Sequence, residues 1–124
     1  MVRRLGILMG SLFLVGGILA FVPGVTKDNM YFGLFMVNTP HNIMHIASGS
    51  ILLIASLLGA RPTRLWFQLL GAFYAALAAI GFVVGNPLIF GLIMNSPFDS
   101  WGHAGLALIM LLIGFTTPNK TVAT

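Results

Sequence analysis

The chain has 124 residues, of which 58% are hydrophobic and only 6% charged, with a mean hydropathy of +1.01. A water-soluble domain devotes about a quarter of its residues to charge, so this composition excludes one and indicates an integral membrane protein. The net charge of +4 sits in short basic clusters between apolar runs, a topology signal rather than a nucleic-acid one, and the lack of cysteine excludes disulfides and thiolate metal sites.

Four apolar segments are long enough to cross a bilayer, at roughly residues 5–25, 40–60, 65–84 and 97–117. A hydrocarbon core of about 30 Å takes about 20 helical residues. The runs are continuous and rich in Leu, Ala and Gly rather than alternating, which argues for helices over barrel strands. The first follows Arg3 and Arg4, as the h-region of a signal peptide would, but it is long for one and no Ala-x-Ala-like site closes it. It therefore reads as a retained span.

Thr39-Pro40 and Ser96-Pro97 are N-cap and N1-proline pairs opening the second and fourth spans. Asn42 and Asp99 then fall at the third helical position, so Ser96 and Asp99 form the pattern of a capping box. Gly59 ends the second span, and residues 60–64 (Ala-Arg-Pro-Thr-Arg) read as a tight turn before the third. The tail after Thr116 reads as frayed.

Arg3, Arg4, Arg61, Arg64 and Lys120 fall on one side of a four-span arrangement and only Lys27 on the other. The positive-inside rule then places both termini and the 60–64 turn in the cytoplasm, and the longer connections outside. Trp66 suits the inner interface and Trp101 the outer. Tyr31, Phe32 and Phe90 would lie near the outer headgroups, in apolar turns. Rows of small residues four apart, Gly6 with Gly10 and Gly71 with Ala75 and Ala79, provide for close helix packing within the bundle.

The chain also repeats itself. Residues 32–45 (FGLFMVNTPHNIMH) return as residues 90–103 (FGLIMNSPFDSWGH), with Phe32, Gly33, Leu34, Met36 and His45 each matched 58 positions later. Such self-similarity predicts two related halves, residues 5–60 and 65–117, each a helix, an outward loop and a helix. With an even number of spans the halves share one orientation, so the expected fold is an all-α, four-transmembrane-helix bundle of two parallel-oriented repeats within a single domain.

The repeat gathers the unusual polar residues. His41 and His45 are four apart and share a helix face, as do Asp99 and His103. A two-fold axis would bring three imidazoles and a carboxylate together, an inventory for zinc or another borderline metal, with Asp99 as a ligand or an orienting partner. Two histidines from different helices could instead ligate haem. Against these stands a scaffold reading. His45 and His103 lie only two turns into their helices, His41 in the first turn can face water, and Asn and Asp can satisfy helix-terminal N–H groups. In that reading the cluster holds no cofactor and staples helices to loops.

The segments FVPG (21–24), GLFMVNTPHNIMHIASG (33–49) and NSPFDSWGH (95–103) resemble those of the domain-of-unknown-function 4383 family of small bacterial membrane proteins. The resemblance runs from about Leu5 to Phe115. It implies four spans, an N-x-x-H-N-x-x-H-like motif opening the second and a D-x-x-x-H-like motif opening the fourth. Carried over, the motif residues are Asn38, His41, Asn42, His45, Gly49, Asn95, Asp99 and His103; Ser100, Trp101 and Gly102 depart from the family's usual pattern before His103. The resemblance implies a bacterial cytoplasmic membrane and no reaction.

No hydrolytic or transfer chemistry suggests itself. Glutamate is absent, Asp28 and Asp99 are the only acids, and neither a phosphate-binding Gly-rich loop nor an H-E-x-x-H motif occurs. Ser48 and Ser50 sit near His45 on an apolar helix, where serine usually bonds a preceding carbonyl. The leading expectation is a non-enzymatic membrane protein with a structural or interaction role. Its surroundings are lipid and not nucleic acid, with a second copy or another membrane protein as the partner alternatives. The runner-up is a metal- or haem-binding membrane protein, and the third a small transport or channel subunit.

Overall fold

A computed structural model describes residues 1–84 and 88–118. It contains four helices, α1 (Val2–Leu19), α2 (Thr39–Leu58), α3 (Ala60–Val84) and α4 (Pro97–Thr116). Each is long and apolar enough to cross a membrane. Lys120, used in the orientation argument, lies outside the described residues.

Two helix boundaries differ from the sequence reading for local reasons. α1 ends at Leu19 rather than near residue 25. Phe21 N–H and Val22 N–H donate to the carbonyls of Ile18 and Leu19, both at 3.0 Å, tightening the chain ahead of Pro23. α3 begins at Ala60, so residues 60–64 are its first turn and not a separate link. Gly59 alone makes the reversal, at φ +149°, a conformation that favours glycine. Pro62 is harmless there because first-turn N–H groups have no intrahelical partner. Thr63 Oγ1 donates to Gly59 O at 2.5 Å and lies 3.2 Å from Ala55 O, tying the start of α3 to the end of α2.

The connections carry short strands. β1 (Thr26–Lys27), β2 (Met30–Tyr31) and β3 (Phe35–Met36) form an antiparallel sheet, and β4 (Leu88–Ile89) pairs with β5 (Ile93–Met94). The β2–β3 and β4–β5 turns have one geometry. Phe32 and Gly33 lie at φ +53° and +68°, and Phe90 and Gly91 at +55° and +65°. In each, an N–H···O bond of 3.0 Å closes the turn, Leu34 to Tyr31 and Leu92 to Ile89. Positive φ at two successive positions is what tight hairpins require, and phenylalanine adopts it only under strain.

Packing is strongest within the pairs α1–α2 and α3–α4, with α3 also meeting α2 and α1. At the first seam two glycines let backbones touch: a Cβ at Gly49 would lie 2.6 Å from Gly10 O. At the second, a Cβ at Gly71 would lie 2.8 Å from the Leu111 side chain. Leu52, Phe67, Tyr74 and Met110 are fully buried between them. Arg3 Nε donates to Ser56 O at 2.7 Å and Arg64 Nε to Thr117 O at 3.0 Å, so the C-terminal carbonyls of α2 and α4 each receive a cation from the partner helix.

Candidate histidine site

The polar residues around the starts of α2 and α4 form two layers. The upper layer consists of helix caps that cross between the connections. Asn38 caps α2, its Oδ1 accepting from His41 N–H at 3.1 Å and from Met94 N–H at 3.2 Å, while its Nδ2 donates to Leu92 O at 2.9 Å. The expected cap Thr39 is instead the first helical residue. Ser96 and Asp99 form the expected capping box on α4. Asp99 Oδ2 accepts from Ser96 N–H and Ser96 Oγ, both at 2.7 Å, and from Met36 N–H of β3 at 2.9 Å. Each connection is thereby bonded to the opposite helix start.

Beneath the caps, α2 and α4 bring three histidines together. One ring nitrogen from each of His41, His45 and His103 lies within 4.8 Å of the others. The rings sit in an aromatic frame. His45 stacks against Phe13 with centroids 5.4 Å apart and against His41 at 5.0 Å, and Tyr74 of α3 lies 5.5 Å from His103. His41 is 2% exposed and does not face water.

The hydrogen bonds fix the tautomer of His41 and set the alternatives for His45. His41 Nδ1 lies 2.7 Å from Met94 O, and a carbonyl only accepts, so this nitrogen carries the proton and His41 Nε2 is a bare lone pair. Ser48 Oγ donates to Met44 O at 2.8 Å, which uses its one proton. The 2.9 Å contact between Tyr74 Oη and Ser48 Oγ then needs the tyrosine proton. With the tyrosine proton spent, the long 3.4 Å contact to His45 Nδ1 is a hydrogen bond only if His45 carries its proton there, which would leave His45 Nε2 bare as well. Yet the two Nε2 atoms stand 3.1 Å apart. Five contacts share the four protons of two imidazoles, a phenol and an alcohol, so no neutral assignment satisfies them all. With the His45 proton on Nε2 the four shorter contacts are met and only the 3.4 Å one is left over; with it on Nδ1 both Nε2 lone pairs stand open to an ion. His103 Nδ1 adds a buried nitrogen with no hydrogen-bond partner.

The remaining residues singled out in the sequence fall elsewhere. Asp99 stays outside the histidine group, its Oδ2 held by three donors. Asn95 turns toward Ser100, donating to Ser100 Oγ at 2.8 Å. Gly49 lies deeper, at the α1–α2 seam. Asn42 is buried and lines a cavity of about 400 Å³ between α1, α2 and α4, shared with all three histidines. Sequence reasoning missed Tyr74 and the Met94 carbonyl; it placed Ser48 near His45 and bonded to a preceding carbonyl, as it is to Met44 O, but not its contact with Tyr74. A signal for the first existed, since Tyr74 is the single tyrosine within the four spans and a buried phenol needs a partner.

A protein-family model described as "Domain of unknown function (DUF4383)" matches residues 3–116. No curated protein and no solved structure matches the chain. With nearly its whole length covered by that model, and four membrane-competent helices to set beside the four spans the resemblance implied, the chain belongs to the DUF4383 family.

Proposed function

We propose that this multi-pass membrane protein binds a transition-metal ion at His41, His45 and His103. One observation carries the reading: the Nε2 atoms of His41 and His45 face one another at 3.1 Å with a third imidazole beside them. Around a tetrahedral ion at about 2.0–2.1 Å, ligand nitrogens stand about 3.3 Å apart. Small ring rotations would bring all three to that spacing. His41 Nδ1 already donates to a carbonyl, and His45 Nδ1 lies 3.4 Å from a phenol oxygen that can accept from it, the partners metal-bound histidines take. Three neutral imidazoles without a thiolate suit zinc, cobalt or copper, and leave a fourth position open. A shared extra proton would also relieve the Nε2 pair, but it gives His103 no reason to be there. Haem fits less well, because its two axial nitrogens stand on opposite faces of a macrocycle rather than converging.

The scaffold reading holds for the upper layer, where Asn38 and Asp99 bond each connection to the opposite helix. In the bilayer, the two halves related by the 58-residue repeat lie with both termini in the cytoplasm, supported by Arg3, Arg4, Arg61 and Arg64 at one end of the bundle. The membrane is the bacterial cytoplasmic one, and the caps and histidines lie toward its outer face.

Elemental analysis of detergent-purified protein tests the metal. About one ion per chain is expected after loading with zinc or cobalt, falling below about a tenth of that in His45→Ala and His103→Ala. Binding at 100-fold excess over the dissociation constant stabilises by about 2.7 kcal/mol, so the melting temperature should rise on loading and fall back with chelator. A wild-type chain that takes up neither ion, with a melting temperature indifferent to both, would refute the reading.

A further inference from the structure

The cavity beside the histidines is a cleft with a direction. α1 and α4 form its two sides and make at most marginal contact with each other, so the bundle is open between them toward the surrounding lipid. The lining is mostly apolar, with Leu12 and Phe13 of α1, Phe35 of β3 and Leu106 of α4. Two glycines line it, Gly16 on α1 and Gly102 on α4. A Cβ at Gly16 would meet only Tyr31 Oη, at 4.0 Å, and one at Gly102 only the edge of Phe35, at 3.3 Å. Bare backbone on both sides makes a flat slot.

The few polar groups are set for a ligand. Asn42 is 4% exposed and lines the cleft, and among the described residues its side-chain amide has no hydrogen-bond partner. Its polar atoms are open to the cleft, where a ligand with a hydrogen-bonding group can reach them. The Tyr31 hydroxyl lines the same space and is likewise without a partner among the described residues. No lysine or arginine lines the cleft, and Asp99 is its one carboxylate. An anionic lipid head is therefore unwelcome. A neutral, planar molecule with polar oxygens at its edges is the better fit.

We propose that the cleft binds a lipid-soluble quinone or hydroquinone ring, which enters from the bilayer between α1 and α4. The ring lies between Gly16 and Gly102, with one oxygen toward Asn42 and the open position of the trihistidine centre, and the other toward Tyr31. This rests on the metal reading above only for the coordination of the first oxygen. A volume of about 400 Å³ lies within the usual range of small-molecule pockets and holds one ring with the start of its tail.

The test uses decylubiquinone and the full chain loaded with cobalt, whose visible bands report its ligands. Decylubiquinone should shift those bands saturably, and in Gly16→Leu and Gly102→Leu the shift should need roughly tenfold more quinone or vanish, with cobalt content unchanged. Gly16 has room for a side chain, whereas at Gly102 the Phe35 ring edge must give by a few tenths of an ångström, so Gly16→Leu guards against Gly102→Leu failing to fold. Normal cobalt bands that ignore decylubiquinone overturn the quinone proposal and leave the metal reading standing. If no cobalt binds, the metal reading fails and melting temperature decides the rest. A rise with decylubiquinone that Gly102→Leu removes supports the ring site on Asn42 and the histidines alone, and no rise overturns it.

Discussion

The starts of α2 and α4 resemble each other in sequence and solve the same problem with different residues. Met36 and Met94, 58 positions apart, each send a backbone N–H to the opposite helix start. On α2 the acceptor is the cap residue, Asn38. On α4 it is Asp99, three residues into the capping box. His41 and Asp99 also stand 58 apart, so one position is committed to capping in one segment and free in the other. Because Asn38 does the capping alone, the His41 ring can turn inward to Met94 O and join His45. Two connections with matching turns and matching methionine bonds thus carry a site whose residues do not match. Three imidazoles converge where strict symmetry would give four histidines, or two with two carboxylates.

The largest effect expected from breaking this comparison is at Asp99. Asp99→Ala leaves Met36 N–H, Ser96 N–H and Ser96 Oγ without their acceptor, in a residue only 2% exposed. Hydrogen bonds to charged groups are worth about 1.5–3 kcal/mol each, with incomplete additivity, so a loss of about 3–5 kcal/mol is expected in thermal or denaturant unfolding of detergent-solubilised protein. Asp99→Asn, which keeps an acceptor oxygen, should recover about half. Asn38→Ala should cost less, about 1–2 kcal/mol, the usual scale of a lost cap. If Asn38→Ala proved the more damaging, the two starts would not divide the work in this way.

The helix seams sharpen the comparison at the next level. Gly49→Ala pushes a methyl group into Gly10 O and Leu14 N, backbone atoms that cannot yield without moving α1. Gly71→Ala meets the Leu111 side chain first, at 2.8 Å, though Leu111 N follows at 3.1 Å. Overpacking costs about 1–3 kcal/mol. Gly49→Ala is expected near the top of that range and Gly71→Ala near the bottom, read as shifts in the same unfolding midpoint.

Much of the framework was legible in the residues. Continuous apolar runs gave the four helices, and Ser96-Pro97 with Asp99 gave the α4 cap, because hydrophobic length and capping chemistry are local properties. The 60–64 segment was misread as a turn since proline and two arginines look like a link, whereas Gly59 makes the reversal in a single residue. The hairpins were invisible as strands: two-residue pairs are too short to show an alternation. In the site, spacing placed His41, His45 and His103 on facing helix surfaces, but not Asp99's commitment to Met36 N–H, which depends on how the connections fold over the bundle. Tyr74 escaped notice, and Ser48 read only as a serine bonded to a preceding carbonyl, because their shared role is relational. A phenol and an alcohol become informative only when their protons are counted against those of two imidazoles.

That count makes Tyr74 the smallest perturbation and the most discriminating one. Tyr74→Phe keeps the ring packing against Phe13 and His103 and removes only the hydroxyl between Ser48 and His45. One ordinary hydrogen bond is worth about 1 kcal/mol, so the unfolding midpoint should barely move. The tautomer of His45 is a different matter. Without a phenol oxygen to receive it, the Nδ1 proton is no longer favoured over Nε2–H, and His45 can donate to His41 across the 3.1 Å gap. That state satisfies the pair internally and takes the His45 lone pair away from an ion. Loss of such an orienting partner typically lowers metal affinity by about 10–100-fold. Cobalt titration of Tyr74→Phe should therefore show weaker binding by at least about tenfold with stability nearly unchanged. A pure scaffold would show the same small loss of stability and no ion to weaken.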